Sequence, residues 1–514
     1  MINQNKQTKK NLVFNIINLV VNIIIAILFI PYLVKSLGIV AYGIVPLALI
    51  VNQYIRVITV SLTNSLTRFY SISIEQNRPE DASNYLSSAF IVITIVVIVL
   101  APFFAWIVLD IERIFNIPCE FINQAKSLFT FTLLGFVLSL YSSLINITLY
   151  AKNRLDALNV IGILRLSGKV VLTVSFFEII STQVSFIGYA NFISELLVLV
   201  LSVIYYKNTI NKGVKISYKY YNKLALMSML SMTIWVIIHQ IGDTGLYRTD
   251  NILVNKFWNT RESGILGAIS EFGTYVMMMV AVISSLFGPL ILIAYSNGNH
   301  REVKKLTTRN SLWVGLLASL IVGVLAGFSQ PLLGLWLGDE YIMYSDWFIL
   351  KIITIPFYVS AGIFSFVFRA WNKILLPAII TLIIGLLNLI VCYLILSFAD
   401  GKEIYIRYML MSSVIFVLLQ SYGLNSFWLS KLYPELRIEL FYGFLKILIA
   451  LILTSILSYS YNELFQVINL IELAFGFIII AVMSIPLLFF ILLKFDDRKT
   501  IINYFLIKIN KTPI

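Results

Sequence analysis

The chain has 514 residues, of which 59% are hydrophobic and only 12% charged, with a formal net charge of +13. Soluble domains carry about twice that share of charged residues, so a soluble enzyme is excluded. The basic excess sits in short loops between apolar runs, a pattern of membrane orientation and not of a nucleic-acid groove, so no nucleic-acid partner is expected.

Apolar runs of about 20 residues recur from end to end, each long enough to cross a bilayer. They must be helices, because lipid offers no partner for free backbone amides, and their unbroken character excludes a β-barrel. The first run is too long for a cleavable signal peptide and lacks its small-residue cleavage pattern. Fourteen spans are expected, at 11–35, 41–70, 83–109, 120–149, 155–180, 184–206, 221–247, 263–295, 308–333, 343–369, 374–398, 404–430, 438–460 and 467–493. The fold class is an all-α polytopic membrane protein.

Span 1 carries Asn11, Asn15, Asn18 and Asn22 at steps of four, three and four, one polar stripe. Such a stripe either lines an aqueous path or joins helices by hydrogen bonds. Span 2 opens on Leu37-Gly38 and Tyr42-Gly43, holds Arg56 near its middle and ends on Leu66-Thr67-Arg68-Phe69-Tyr70. Arg56 is roughly 20 Å of helix rise from either end, too far to reach water by extending its side chain. It either contacts a negatively charged group in a cavity or pairs with a buried acid such as Glu195. Arg165 and Lys169 in span 5 are four residues apart and share one helix face. Like charges so placed repel unless an anion or acid sits between them, and Glu178 is too far along the helix to serve both. Lys126 and Lys351 lie in the outer thirds of spans 4 and 10, and Lys446 lies in span 13. A cation at membrane depth costs roughly 3 kcal/mol and usually faces a bundle interior or watery cavity.

The intramembrane acids are Glu195, Asp243, Asp250 and Glu271. A carboxyl in a low-dielectric site can carry a proton through a conformational cycle, which makes Glu271 and Asp243 candidates for ion coupling. The alternative is pairing with Arg248. Cys119 and Cys392 are far apart and give no disulfide or metal site, and His239 and His300 match no ligand spacing. No nucleophile–base pair or phosphate loop emerges. Any pumping is therefore secondary, and no cofactor or catalytic residue is expected.

Of the 38 lysines and arginines, 25 flank one set of span ends, 7 flank the other and six lie within spans. That asymmetry places both termini in the cytoplasm. Ala151-Lys152-Asn153-Arg154-Leu155 after span 4 matches Ala370-Trp371-Asn372-Lys373-Ile374 after span 10, 219 residues later. Leu33-Val34, Leu37-Gly38 and Tyr42-Gly43 similarly match Leu253-Val254, Leu266-Gly267 and Phe272-Gly273. Span n thus pairs with span n+6, and an even offset implies parallel halves related by an axis along the membrane normal. The expected lobes are residues 1–206 and 221–430, joined by a cytoplasmic linker at 207–220. Spans 13 and 14, with the tail, occupy 431–514.

With these lobes and motifs, the chain resembles bacterial polysaccharide and O-antigen repeat-unit flippases. They share a superfamily with multidrug and toxin extruders and the lipid II flippase. The resemblance covers the whole chain. It implies movement of undecaprenyl-pyrophosphate-linked O-antigen or capsule units between leaflets of the bacterial inner membrane. It also implies bilayer lipids and other polysaccharide-assembly membrane proteins as partners. Arginine suits a pyrophosphate, since it stays charged and offers a planar fork of donors. Arg56, Arg165 and Lys169 are the candidate substrate-binding residues. In the lipid II flippase, helices 1, 2 and 8 contribute cavity arginines, and only Arg56 matches that placement here. A cation-coupled drug extruder is the runner-up, although span 1 lacks the acid those proteins tend to carry. A membrane-embedded polymerase is the third reading, against which stand the short outer loops.

Overall fold

The computed structural model describes residues 2–209, 214–284, 287–399, 401 and 403–492. Every regular element among them is helical. Among the described residues, twelve helices are long and apolar enough to cross a membrane, and shorter apolar helices lie at Ile39–Leu49 and Leu470–Pro486. The twelve correspond to twelve of the fourteen spans read from the sequence, the two shorter helices fall within the other two, and the protein is a multi-pass membrane protein.

In chain order the helices begin with α1 (Ile2–Leu37), α2 (Ile39–Tyr42), α3 (Ile44–Glu75), α4 (Pro79–Leu109), α5 (Ile111–Ile114) and α6 (Ile122–Ala151). There follow α7 (Leu155–Ile179), α8 (Ser185–Thr209), α9 (Lys223–Tyr247), α10 (Asp250–Phe257), α11 (Thr260–Ser284) and α12 (Phe287–Ser296). Next come α13 (His300–Gly327), α14 (Ser329–Trp336), α15 (Ser345–Ile352), α16 (Ile355–Gly362), α17 (Phe364–Ala370) and α18 (Leu375–Ser397). The last are α19 (Ile404–Leu418), a π-helical turn (Leu419–Asn425), α20 (Ser426–Leu432), α21 (Leu436–Phe465) and α22 (Leu470–Leu492).

Three interruptions inside the expected spans have one cause. Helices α2, α13 and α15 end at Tyr42, Gly327 and Ile352, each four residues before Pro46, Pro331 and Pro356. Proline has no N–H to donate to the carbonyl four residues back, and its ring clashes with that carbonyl. The chain therefore steps into a new helix instead of continuing.

Packing divides the chain into two compact units, residues 1–268 with 378–409 and residues 269–377 with 410–514. In the first unit, the Leu37-Gly38 to Tyr42-Gly43 motif is the seat of a helix crossing. A Cβ on Gly43 would lie 2.0 Å from the Thr260 carbonyl oxygen, and one on Gly264 would lie 2.8 Å from the Ile39 carbonyl oxygen. Backbone thus meets backbone where α2 joins α3 against the start of α11, which only glycine permits. Helix α18 crosses α9 the same way, at Gly242 and Gly385. Part of the linker is pinned in this unit. Lys215 N and Ser217 N donate to Ser83 Oγ and Ser87 Oγ of α4, at 3.0 and 3.2 Å. Residues 210–213 lie outside the described residues.

The second unit is built around α13, α16, α17 and α20, whose buried core includes Val314, Ala318, Phe364, Val367 and Leu429.

The repeat turns share one geometry. Asn153 and Asn372 both adopt the left-handed region, at φ 54° and 53°. In each, the following amide donates back five residues, from Arg154 to the Leu149 carbonyl at 2.9 Å and from Lys373 to the Phe368 carbonyl at 2.8 Å. The same turn recurs at Asn77 and Gly298, at φ 54° and 69°, again about 220 residues apart. This is a Schellman-type helix end, in which asparagine is the usual substitute for glycine.

Candidate functional site

The end of α7 nearest the α6–α7 turn is fixed to α1 by a polar clamp. Asp156 is buried and receives Lys10 Nζ at 2.7 Å, Arg154 Nε at 3.0 Å and Gln7 Nε2 at 2.8 Å. Its own amide donates to Asn11 Oδ1 at 3.0 Å, and Asn11 Nδ2 donates to Asn153 Oδ1 at 2.9 Å. Deeper in, Asn18 Nδ2 donates to Asn159 Oδ1 at 2.9 Å, Asn159 Nδ2 donates to Asn15 Oδ1, and Asn22 Nδ2 donates back to Asn18. The asparagine stripe of α1 is therefore helix-joining polar contact, carried by Asn159.

Arg165 and Lys169 sit near the middle of α7. The Arg165 guanidinium stands 3.9 Å from Glu195 of α8, with side chains 49% and 11% exposed. Glu195, one acid the sequence offers to Arg56, stands beside Arg165, while the Arg56 side chain lies outside the described residues. Lys169 is partly buried one turn further along the same face. Beside the pair, Ser194 is buried and its Oγ has no hydrogen-bond partner among the described residues. A Cβ on Gly168 would lie 3.4 Å from that atom. Neither residue was a sequence candidate. The available signal was a glycine between two cations in an apolar helix, since small residues mark close helix approach. Glu178 is engaged separately, accepting from the Tyr32 hydroxyl at 3.3 Å.

This arrangement leaves donors on Arg165 facing away from its acid. A guanidinium has five N–H groups, and a single long contact to one carboxylate oxygen uses few of them. A half-exposed guanidinium at that depth would be costly against hydrocarbon. Its geometry suits a polar crevice in which a planar anion meets the remaining donors.

The other expected site residues lie apart from this cluster. The Arg56 side chain lies outside the described residues, although its backbone belongs to α3. Asp243 lies on α9, partly buried, beside Gly242 at the α9–α18 crossing. Glu271 belongs to the second unit and hydrogen-bonds with Tyr275, one turn along α11. Lys126 pairs with Glu112 at 3.1 Å, both side chains substantially exposed, which fits its place near a span end.

No family model matches the chain. It is 22% identical over 383 residues, 73% of this chain and 74% of the relative, to the uncharacterized membrane protein EpsK of Bacillus subtilis. Among solved structures, the lipid II flippase MurJ in an inward closed conformation superposes with a TM-score of 0.66. It covers 93% of this chain and 98% of MurJ at 14% identity. An inward-facing MATE multidrug resistance transporter superposes with a TM-score of 0.63, over 79% of this chain and 94% of its own length, at 13% identity. The chain shares the fold of these two proteins.

Proposed function

We propose that the protein is a lipid-linked oligosaccharide flippase. It moves undecaprenyl-pyrophosphate-linked O-antigen or capsule repeat units from the cytoplasmic to the periplasmic leaflet of the bacterial inner membrane, by alternating access. One observation carries this reading. The likeness to the lipid II flippase covers 93% of this chain, whereas the likenesses to MATE transporters cover 79–86% of it, so the flippase match leaves less of the chain out. A fold that includes two helices beyond the twelve-helix repeat favours a lipid-linked substrate over a soluble drug.

In this reading residues 1–206 and 221–430 are the rocking lobes, and the paired turns at Asn153 and Asn372 support the repeat. Arg165 and Lys169, with Arg56, bind the pyrophosphate, while Asp243 and Glu271 couple an ion to the cycle. Both termini are cytoplasmic, where the basic span ends lie. Other membrane proteins of polysaccharide assembly act before and after it.

The test is deletion of the gene in its host. Long-chain surface polysaccharide should disappear while the lipid-linked unit accumulates on the inner leaflet. Unchanged polysaccharide with increased drug sensitivity would overturn the reading in favour of a cation-coupled extruder.

A further inference from the structure

The second unit contains a crevice that the transport reading does not use. It lies between the π-helical turn with α20 and the first turns of α21, and has a volume of about 760 Å³. That is within the range of small-molecule sites, roughly 300–1,000 Å³.

Its origin is a difference between the two flanks of α21. On one flank α21 is zipped to α13. Ser319 Oγ donates to the Ile447 carbonyl at 3.1 Å, and Thr454 Oγ1 donates to the Ser319 carbonyl at 3.2 Å. A Cβ on Gly323 would lie 1.8 Å from Thr454 Oγ1, so the helices are as close as they can be. On the other flank α21 meets the π turn through Tyr422 and Phe444, whose ring centres are 5.4 Å apart, and the crevice opens beside that contact. The π turn carries one extra residue per turn, a feature common at functional sites. Tyr422 is drawn inward, with its hydroxyl 2.7 Å from Ser360 Oγ and 3.4 Å from Ser311 Oγ. Gly423, next along, offers no side chain to fill the gap.

The lining is amphipathic. Phe441, Phe444 and Leu440 supply apolar wall, while Ser426 and Arg437 supply donors. Arg437 is exposed and makes no ion pair among the described residues. Of the neighbouring acids, Glu435 is taken by Lys304. Glu439 lies two residues along, on the opposite side of the helix. Lys431 is held close by, 4.9 Å from the Phe427 ring centre and 5.1 Å from that of Trp428. The rim residues Ile438 and Phe441 are 68% and 60% exposed, as expected where a membrane protein meets lipid. An apolar trough ending in a cation matches a ligand with an apolar chain and a negative head.

We propose that this crevice binds an anionic phospholipid. Arg437 and Ser426 hold its phosphate, and an acyl chain lies over Gly423 against Phe441 and Phe444. Such a lipid completes the packing between α20 and α21 that the π turn leaves open. The proposal does not depend on what the protein transports.

The experiment is native mass spectrometry and thermal unfolding of the purified full-length chain. Phosphatidylglycerol, phosphatidylcholine and glycerol phosphate are added in separate arms. Wild type should retain phosphatidylglycerol in preference to phosphatidylcholine and unfold at higher temperature with it. Arg437→Gln should lose about tenfold of that preference, the worth of one charge-assisted hydrogen bond, and Arg437→Lys should restore part of it. Gly423→Leu, which fills the trough, should reduce retention of both lipids. Should it fail to fold, the Arg437 pair of variants still decides. Arg113→Gln, in the other unit, should behave as wild type. Equal retention of both lipids with no effect of Arg437→Gln would overturn the proposal. So would stabilisation by glycerol phosphate alone equal to that by the lipid, which would mark a free-anion site.

Discussion

Glu195 on α8 is 8% exposed, while the Arg165 guanidinium it meets at 3.9 Å stays half exposed on α7. A pair so open is worth at most about 1 kcal/mol to folding. Its energetics therefore leave Arg165 available for another role, and the two roles separate experimentally. Arg165→Gln combined with Lys169→Gln should abolish surface polysaccharide while shifting the melting temperature by only a few degrees. Arg56→Gln should do the same, with protein levels in the membrane unchanged. Normal polysaccharide in all of these variants, with membrane levels confirmed by immunoblot, would sink the anion-site reading.

Asp156 presents the opposite balance. It is buried, and Lys10, Arg154 and Gln7 all donate to it. Asp156→Asn leaves those donors short of an acceptor. Because Lys10 and Arg154 are 50% and 37% exposed, both can return to water. The expected loss is about 1–3 kcal/mol rather than the larger cost of a fully buried pair. Lys10→Gln should cost less than about 1 kcal/mol. Unfolding in detergent measures both, and an unchanged melting temperature for Asp156→Asn would refute the clamp.

Gly43 and Gly362 offer a contrast in available space. A Cβ on Gly43 would meet the Thr260 carbonyl oxygen at 2.0 Å, whereas one on Gly362 meets nothing within 4 Å. Gly43→Ala should cost about 3 kcal/mol or more, since backbone cannot give way as a side chain can. Gly362→Ala should be neutral or slightly stabilising. The yields and melting temperatures of the two variants should rank in that order, and equal behaviour would show that the crossing tolerates separation.

Asn153 and Asn372 share a left-handed backbone but differ in what their side chains do. Asn153 Oδ1 accepts from Asn11 of α1. Glycine satisfies the backbone at either site, so Asn372→Gly should leave stability within about 0.5 kcal/mol. Asn153→Gly should lose about 1 kcal/mol through the missing hydrogen bond. Valine at either position should cost about 1–2 kcal/mol from its β-branch in the left-handed region. The comparison needs only five melting curves, wild type included, and identical losses at Asn153→Gly and Asn372→Gly would contradict it.

How much of this was legible in the sequence follows from the range of the forces involved. Hydropathy is a local property, so the runs of apolar residues set helix, span count and membrane class without reference to any neighbour. The left-handed turns at Asn153 and Asn372 and the breaks four residues before Pro46, Pro331 and Pro356 are also local in cause, because sterics and a missing N–H act within one helical turn, although the span reading ran through those breaks. The candidate site was legible only as residue types at a depth. Sequence could place Arg165 and Lys169 on one face, but not decide that the acid beside Arg165 comes from α8. It could draw the asparagine stripe of α1, but not that Asn159 of α7 receives it. It marked Gly43 as part of a motif without revealing that its backbone meets that of Thr260. These are contacts between residues far apart in the chain, and only packing decides which helix faces meet. The crevice beside Arg437 belongs to the same class, since its walls come from the π turn, α20 and α21 and form only when these elements pack.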